Sequence, residues 1–334
     1  MITVRRSIQA LAVALLLASV TASLSTCGGT GGSEFAGGGT GGTGISTGAI
    51  SGFGSVVMNG AHFQTDNNVA PGFKTKKVLN DKVDNSGRAD NNVFAVGMIV
   101  TVRHGVTDNN AFEIEYRDNL QGPVAKVLPG VDNVLEILGQ TVVVDNAAVF
   151  ASLKRNDIVE VSGYVDNAGR IRASRLFSLP PPLPPPFQEF ELKGFVSGSS
   201  STGFRLGPLP DGFGITVMVF FPPGGPANGA YVQVATTDRE PVGGSITATR
   251  VATLAARTEF PDNSLVDLEG LVTTPWSGQG NDLSFAVEGK RVRWEAGTEF
   301  GGGTRDDLRQ TDLKVQVHGM ENGGVLSAAR IVFR

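Results

Sequence analysis

Three histidines, one cysteine and 32 acidic residues are the groups from which this 334-residue chain can assemble chemistry. His62, His104 and His318 each fall in or beside a β-prone run, and no spacing puts two of them on one element as a metal pair. His318 sits between Val317 and Gly319, where strand alternation sends it to solvent. No Gly-x-Ser-x-Gly elbow leads into a helix, so a nucleophile–base pair has no frame, and nothing singles out two carboxylates of glycosidase type. The densest oxygen cluster is Asp84-Asn-Ser86-Gly-Arg-Ala-Asp90-Asn91-Asn92. Asp84 and Asp90 would be calcium ligands there, but no Glu closes the loop as in an EF-hand. Asp and Asn also favour turns by bonding their own backbone, which is the preferred reading. The sequence thus implies no catalytic residue, no cofactor and a non-enzymatic protein, with calcium at Asp84 and Asp90 as the weaker alternative.

Two further side chains have chemical readings. Trp276 lies in the loop Thr274-Pro275-Trp276-Ser277-Gly278, either as a stacking platform for a saccharide or as a loop anchor packed on its own module. Cys27 is the only cysteine, which excludes an intramolecular disulfide. Ahead of it, Arg5 and Arg6 precede the apolar run Ala10 to Val20, the layout of an export signal over residues 1–26. Leu24-Ser25-Thr26-Cys27 resembles a bacterial lipobox, whose cysteine sulfur receives a diacylglyceryl group; Thr26 departs from the Gly, Ala or Ser usual there. The competing reading is signal cleavage near Ala22, leaving a free thiol. Lipidation with two or more acyl chains holds a protein firmly at a membrane. Gly28 after the cysteine favours the outer membrane, by resemblance to the sorting rule of enteric bacteria. The expected location is the envelope of a Gram-negative bacterium, as an outer-membrane lipoprotein on its periplasmic or surface face. Residues 27–47, mostly Gly and Thr, read as a tether that reaches about 25 Å as a flexible coil.

The elements that position these groups are strands. Glycine is abundant, at 45 residues, and charged residues are only 18%, which suits many short strands joined by turns. The net charge is −4, both signs are scattered, and the basic stripe that nucleic acid demands is missing. The stretch Gly169-Arg-Ile171-Arg-Ala173-Ser-Arg175-Leu176 returns as Gly244-Ser-Ile246-Thr-Ala248-Thr-Arg250-Val251 and as Gly324-Val-Leu326-Ser-Ala328-Ala-Arg330-Ile331. Ala111-Phe-Glu-Ile114 is a degenerate copy. Each copy reads as the closing strand of a small β-module, with Ile171 and Ala173 on the buried face. The modules are read as 48–119, 120–178, 189–257 (the most divergent) and 258–334. A polyproline linker over 179–188 is a stiff spacer of roughly 28 Å.

Asn59-Gly60 signals a tight hairpin turn, and residues Ala151 to Asn156 one helical turn. About five strands per module would leave exposed edges in an open sheet, so closure is the easier solution; the order of strand, hairpin, helical turn and two strands resembles an OB-like barrel. One such unit is marginal alone, so the first and second modules, and likewise the third and fourth, are expected to pack together. The fold class is all-β: four tandem OB-like barrels after a signal peptide and Gly-rich tether.

The run Gly38 to Ile45, leading into Ile50-x-Gly52-Phe53-Gly54-Ser55-Val56 and Asn59-Gly60, resembles an uncharacterised bacterial domain family. So do Gly122-Pro123-Val124, Leu138-Gly139-Gln140-Thr141-Val142 and the repeated Val-x-Val-x-Gly. The resemblance covers the first half well, the last module fairly and the third poorly. It implies an exported protein, often a lipoprotein, of tandem OB-like domains without assigned catalytic residues. It also implies that the Gly-Thr run docks on the first module. The functional expectation is an interaction or structural protein of the envelope, with membrane and other envelope proteins as partners and without nucleic acid. The alternative is binding of glycan or cell-wall polymer through barrel faces and Trp276.

Overall fold

The computed structural model describes residues 43–179, 189–210, 214, 217–277 and 283–334. The signal segment, Cys27, most of the tether and the proline linker after Leu179 lie outside the described residues. The chain is nearly all-β, and its strands form small barrels within two sheets.

The second region is the simplest. It comprises β8 (Leu120–Leu128), β9 (Val134–Ile137), β10 (Gln140–Val143), α1 (Ala147–Ser152), β11 (Ile158–Val165) and β12 (Ile171–Ser178). The strands pair in the order β8-β9-β10-β12-β11 and back to β8, closing a ring. This is the OB-like order, with β10 and β12 parallel. The helix starts earlier than expected because Asn146 caps it, accepting bonds from the Ala148 and Val149 amides and seating Phe150 in the core.

The third region repeats the ring with β13 (Phe190–Ser197), β14 (Gly203–Gly207), β15 (Val217–Phe220), β16 (Tyr231–Thr236) and β17 (Ser245–Leu254). The last repeats it with β18 (Leu265–Thr274), β19 (Ser284–Val287), β20 (Lys290–Gly301), β21 (Lys314–Asn322) and β22 (Val325–Phe333). The first region has β1 (Thr43–Phe53), β2 (Val56–Met58), β3 (Ala61–Phe63), β4 (Lys76–Leu79), β5 (Lys82–Val83), β6 (Ile99–Gly105) and β7 (Ala111–Tyr116). Its β1-β2-β3 and β1-β6-β7 follow the same order, and an isolated parallel bridge from Gln64 to Asn110 joins the two arms.

Thr43 to Thr47, read above as the end of the tether, belong to β1. They pair with both β6 and β18, and Ile45 enters the core of the last ring. Strand pairing on two sides satisfies their backbone and overrides a Gly-rich composition.

One irregularity recurs in every ring. Gly163 opposes Ala173 while Ser162 opposes Arg175, so Ser174 is an extra residue. Thr249, Ala329 and Phe112 are extra in the same place of their strands. This is a β-bulge, and it explains the phase of the repeat: Ile171 and Ala173 point inward, and after the extra residue the inward position moves to Leu176. It also explains the glycine of Val-x-Val-x-Gly. A Cβ at Gly163 would lie 2.4 Å from the Arg172 carbonyl oxygen, and one at Gly319 2.2 Å from that of Ser327.

Sheet continuity pairs the rings differently from the expected order. β8 runs antiparallel beside β13, and β1 parallel beside β18, so the second ring shares a sheet with the third and the first with the last. One hydrophobic cluster runs through the second and third rings. Chain neighbours do still touch through side chains. Ser174 donates to the Gly97 carbonyl at 2.6 Å, Arg175 to Val96 at 2.9 Å, and Phe177 packs on the first ring's core. The first strand of each ring has a free lateral side, and backbone pairing there satisfies more groups than side-chain docking does.

Candidate functional site

The first strand of each ring carries a further repeat: a polar residue, a glycine, any residue, then an aliphatic. It reads Thr47-Gly48-Ala-Ile50, Gln121-Gly122-Pro-Val124, Lys193-Gly194-Phe-Val196 and Glu269-Gly270-Leu-Val272. In three rings the glycine lies under the first residue of the hairpin turn. A Cβ at Gly48, Gly122 or Gly270 would come within 2.2 Å of Asn59 Oδ1, 2.8 Å of Leu138 Cδ1 or 2.4 Å of Glu288 Cγ. Those turn residues have φ of 56°, 49° and 50° and are each followed by glycine, the pattern of a tight hairpin turn.

The polar residues of this repeat converge where the rings meet. Glu269 accepts a short hydrogen bond from the Tyr164 hydroxyl of the second ring and an ion pair from Lys314 at 3.1 Å. Tyr164 in turn accepts from the Ala49 amide of the first ring at 2.9 Å and packs with Ile99 and Leu271. Burial, then the neighbouring Glu269 carboxylate, hold its phenol well above the usual range. Lys193 forms an ion pair with Asp118, both side chains fully buried. Asp118 lies in the connection between the first and second rings and also accepts from Asn80 at 2.9 Å. Glu288 accepts from the Val165 amide of the second ring at 3.0 Å and from Leu271 at 3.1 Å. Burial pushes its carboxyl up to about 7, and Arg257 opposes that rise. Arg257 donates to the Gly163 carbonyl at 3.2 Å.

Two hollows flank this junction. A cavity of about 40 Å³, lined by Tyr164, Lys193, Tyr231, Arg257, Glu269 and Glu288, has room for a few waters at most. On the other side of Arg257, a cleft of about 220 Å³ opens between the first ring and residues 255–260. Of its wall charges, Arg117 pairs with Glu115 at 2.7 Å and Asp81 at 2.9 Å, and Arg103 with Glu113 at 3.6 Å, whereas Arg257 Nη1 is buried without a hydrogen-bond partner among the described residues. The Arg117–Asp81 and Arg103–Glu113 pairs each join one strand or segment to another.

The residues singled out from sequence lie elsewhere. Trp276 is buried at 8% exposure, edge-on to Trp294 at 5.2 Å and under Arg309. It is the loop anchor of the last ring and offers no open face for a sugar, because the apolar ring of its own barrel claims it. Asp84 accepts from Ser86 Oγ at 2.9 Å and from the Ser86 amide at 3.1 Å. Asp90 pairs with Lys77 at 2.8 Å and accepts from Thr65. The two carboxylates thus serve a turn and a separate ion pair; among the described residues no group of three metal-ligating side chains converges. His104 is buried, its Nε2 3.0 Å from Ser46 Oγ and its ring tilted on Phe63. His318, expected in solvent, is only one-third exposed, because it lies opposite Asp267 with Nδ1 3.6 Å from that carboxylate. The histidines are not brought together.

The family model described as Domain of unknown function (DUF5666) matches residues 121–176 and 269–332. These are the second and last rings, so two regions of the chain, separated by the third ring, are similar to this uncharacterised domain. No curated protein matches.

Proposed function

We propose that this is an exported, lipid-anchored envelope protein whose linked barrels form a rigid body for protein interaction, without chemistry of its own. The observation that supports it is the junction itself. Lys193–Asp118, Tyr164–Glu269 and Glu288 with the Val165 amide all tie one ring to another or to its connection, which supports a body held together by its own polar groups. The anchor rests on the export signal and Cys27, with the outer membrane of a Gram-negative envelope as the proposed location.

Radioactive palmitate labelling, followed by cross-linking in intact cells with a reagent that cannot cross the inner membrane, tests both halves. The expected result is a labelled protein whose label vanishes in Cys27→Ser, with discrete cross-linked protein adducts. An unlabelled exported chain contradicts the anchor; retention on a glycan array without protein adducts contradicts the interaction reading.

A further inference from the structure

The four closing strands differ in one respect. After the bulge, each turns a lateral edge away from its antiparallel partner; among the described residues two of the four edges are paired with a strand and a third has a loop against it. In the first ring β4 lies parallel along Glu113 to Tyr116, and in the last ring the second half of β20 lies parallel along Arg330 to Val332. In the second ring the loop at Val96 and Gly97 lies against this edge, held by the Ser174 hydroxyl and the Arg175 guanidinium, without strand pairing. In the third ring β15 reaches only Thr247, and among the described residues none pairs with the outer edge of β17 beyond it. Thr249, Arg250, Ala252 and Thr253 are exposed. The run Arg250-Val-Ala-Thr-Leu254 carries no proline or glycine and a single charge, so it has little of the protection that edge strands need.

The sister rings show what fits. Opposite the charged position of the repeat, the covering strand carries the opposite charge. Lys76 lies across from Glu113 and pairs with it at 2.8 Å, whereas Glu299 lies across from Arg330. In the last ring the next covering residue, Phe300, packs into the core. In the third ring the corresponding charge is Arg250, which among the described residues is approached by Glu189 and Glu191, each at 3.7 Å.

We propose that the edge of β17 from Arg250 to Leu254 docks an extended segment of a partner protein, lying parallel to β17, with an acidic residue opposite Arg250 and a large apolar residue after it. This is strand addition to an open edge: backbone bonds supply affinity and the two side chains register. It rests on the interaction reading above and names the surface and the partner's chemistry.

The probe is a synthetic peptide of residues 296–303 (Ala-Gly-Thr-Glu-Phe-Gly-Gly-Gly), which contains the covering strand of the last ring, added at millimolar concentration to the full chain. Amide hydrogen exchange of Arg250 to Leu254 is expected to slow at least tenfold, and a nitroxide on the peptide's N-terminus to broaden Thr249 and Arg250 rather than Leu254. A peptide carrying Phe300→Pro and Gly301→Pro is expected to give no protection. Arg250→Gln in the chain and Glu299→Gln in the peptide should each weaken binding roughly threefold, and together no more than either alone. Unchanged exchange, antiparallel broadening, equal binding by the proline peptide, or protection that already exists without peptide, through self-association or another segment of the chain, overturns the proposal. Cross-linked adducts in cells without peptide binding would leave the interaction reading standing and remove only this edge.

Discussion

The second and third rings have the same strand order and the same bulge, yet only the second matches the family model. At the bulge the second ring has Gly163, beneath the Arg172 carbonyl. The third has Thr236 there, whose hydroxyl donates to the equivalent carbonyl, that of Thr247, at 2.7 Å. One ring clears the carbonyl by having no side chain; the other uses a side chain to bond it. The topology is therefore set by inward aliphatics and the extra residue, and the glycine is one of two ways of accommodating it. The comparison also separates folding from function: the third ring departs from the motif while keeping the ring, and it is the one whose closing edge stays open.

The comparison can be broken at three points, in order of expected effect. Lys193→Met, in the third ring, leaves Asp118 buried and unpaired, and is expected to cost about 3–5 kcal/mol in urea unfolding; adding Asp118→Leu should recover much of it. A loss below about 1 kcal/mol would mean that the rings are not joined there. Gly163→Val or Gly319→Val drives a side chain into a carbonyl and should cost roughly 2–3 kcal/mol. Thr236→Ala loses one hydrogen bond and should cost about 1 kcal/mol. If Thr236→Ala costs more than Gly163→Val, the two solutions are not equivalent.

The pH profile tests the junction separately. Glu288 has a folded pKa near 7, above its ordinary value of 4.5. A carboxyl raised on folding contributes stability that is complete below about pH 4.5 and is lost as pH rises through about 7. Glu288→Gln is expected to flatten that fall and to gain up to about 3 kcal/mol at pH 8. A melting temperature equally pH-dependent in both proteins would show that the group is not buried at the junction.

Most of the ring was legible in the sequence. The Gly-x-aliphatic-x-Ala-x-Arg-aliphatic repeat located the closing strands, and Asn59-Gly60 a turn. The bulge was also written there, as a change of inward phase between Ala173 and Leu176, but only register reveals which residue is extra. The junction was harder to read. Lys193 and Glu269 look like the solvent-facing members of alternating strands, and they are buried because two rings meet side by side at that position. A sequence repeat specifies each ring's own core, whereas the partner of a lateral edge depends on which rings come together. Trp276, readable from sequence as either a sugar platform or a loop anchor, is buried in its own barrel.

The crossed pairing is tested most directly by two fragments of similar length, 43–179 with the first and second rings and 117–257 with the second and third. The account predicts a higher melting temperature for 117–257, whose rings share the β8–β13 pairing and one hydrophobic cluster, while 43–179 exposes the lateral edges of both β1 and β8. A fragment 43–179 that melts at or above the temperature of 117–257 would contradict it.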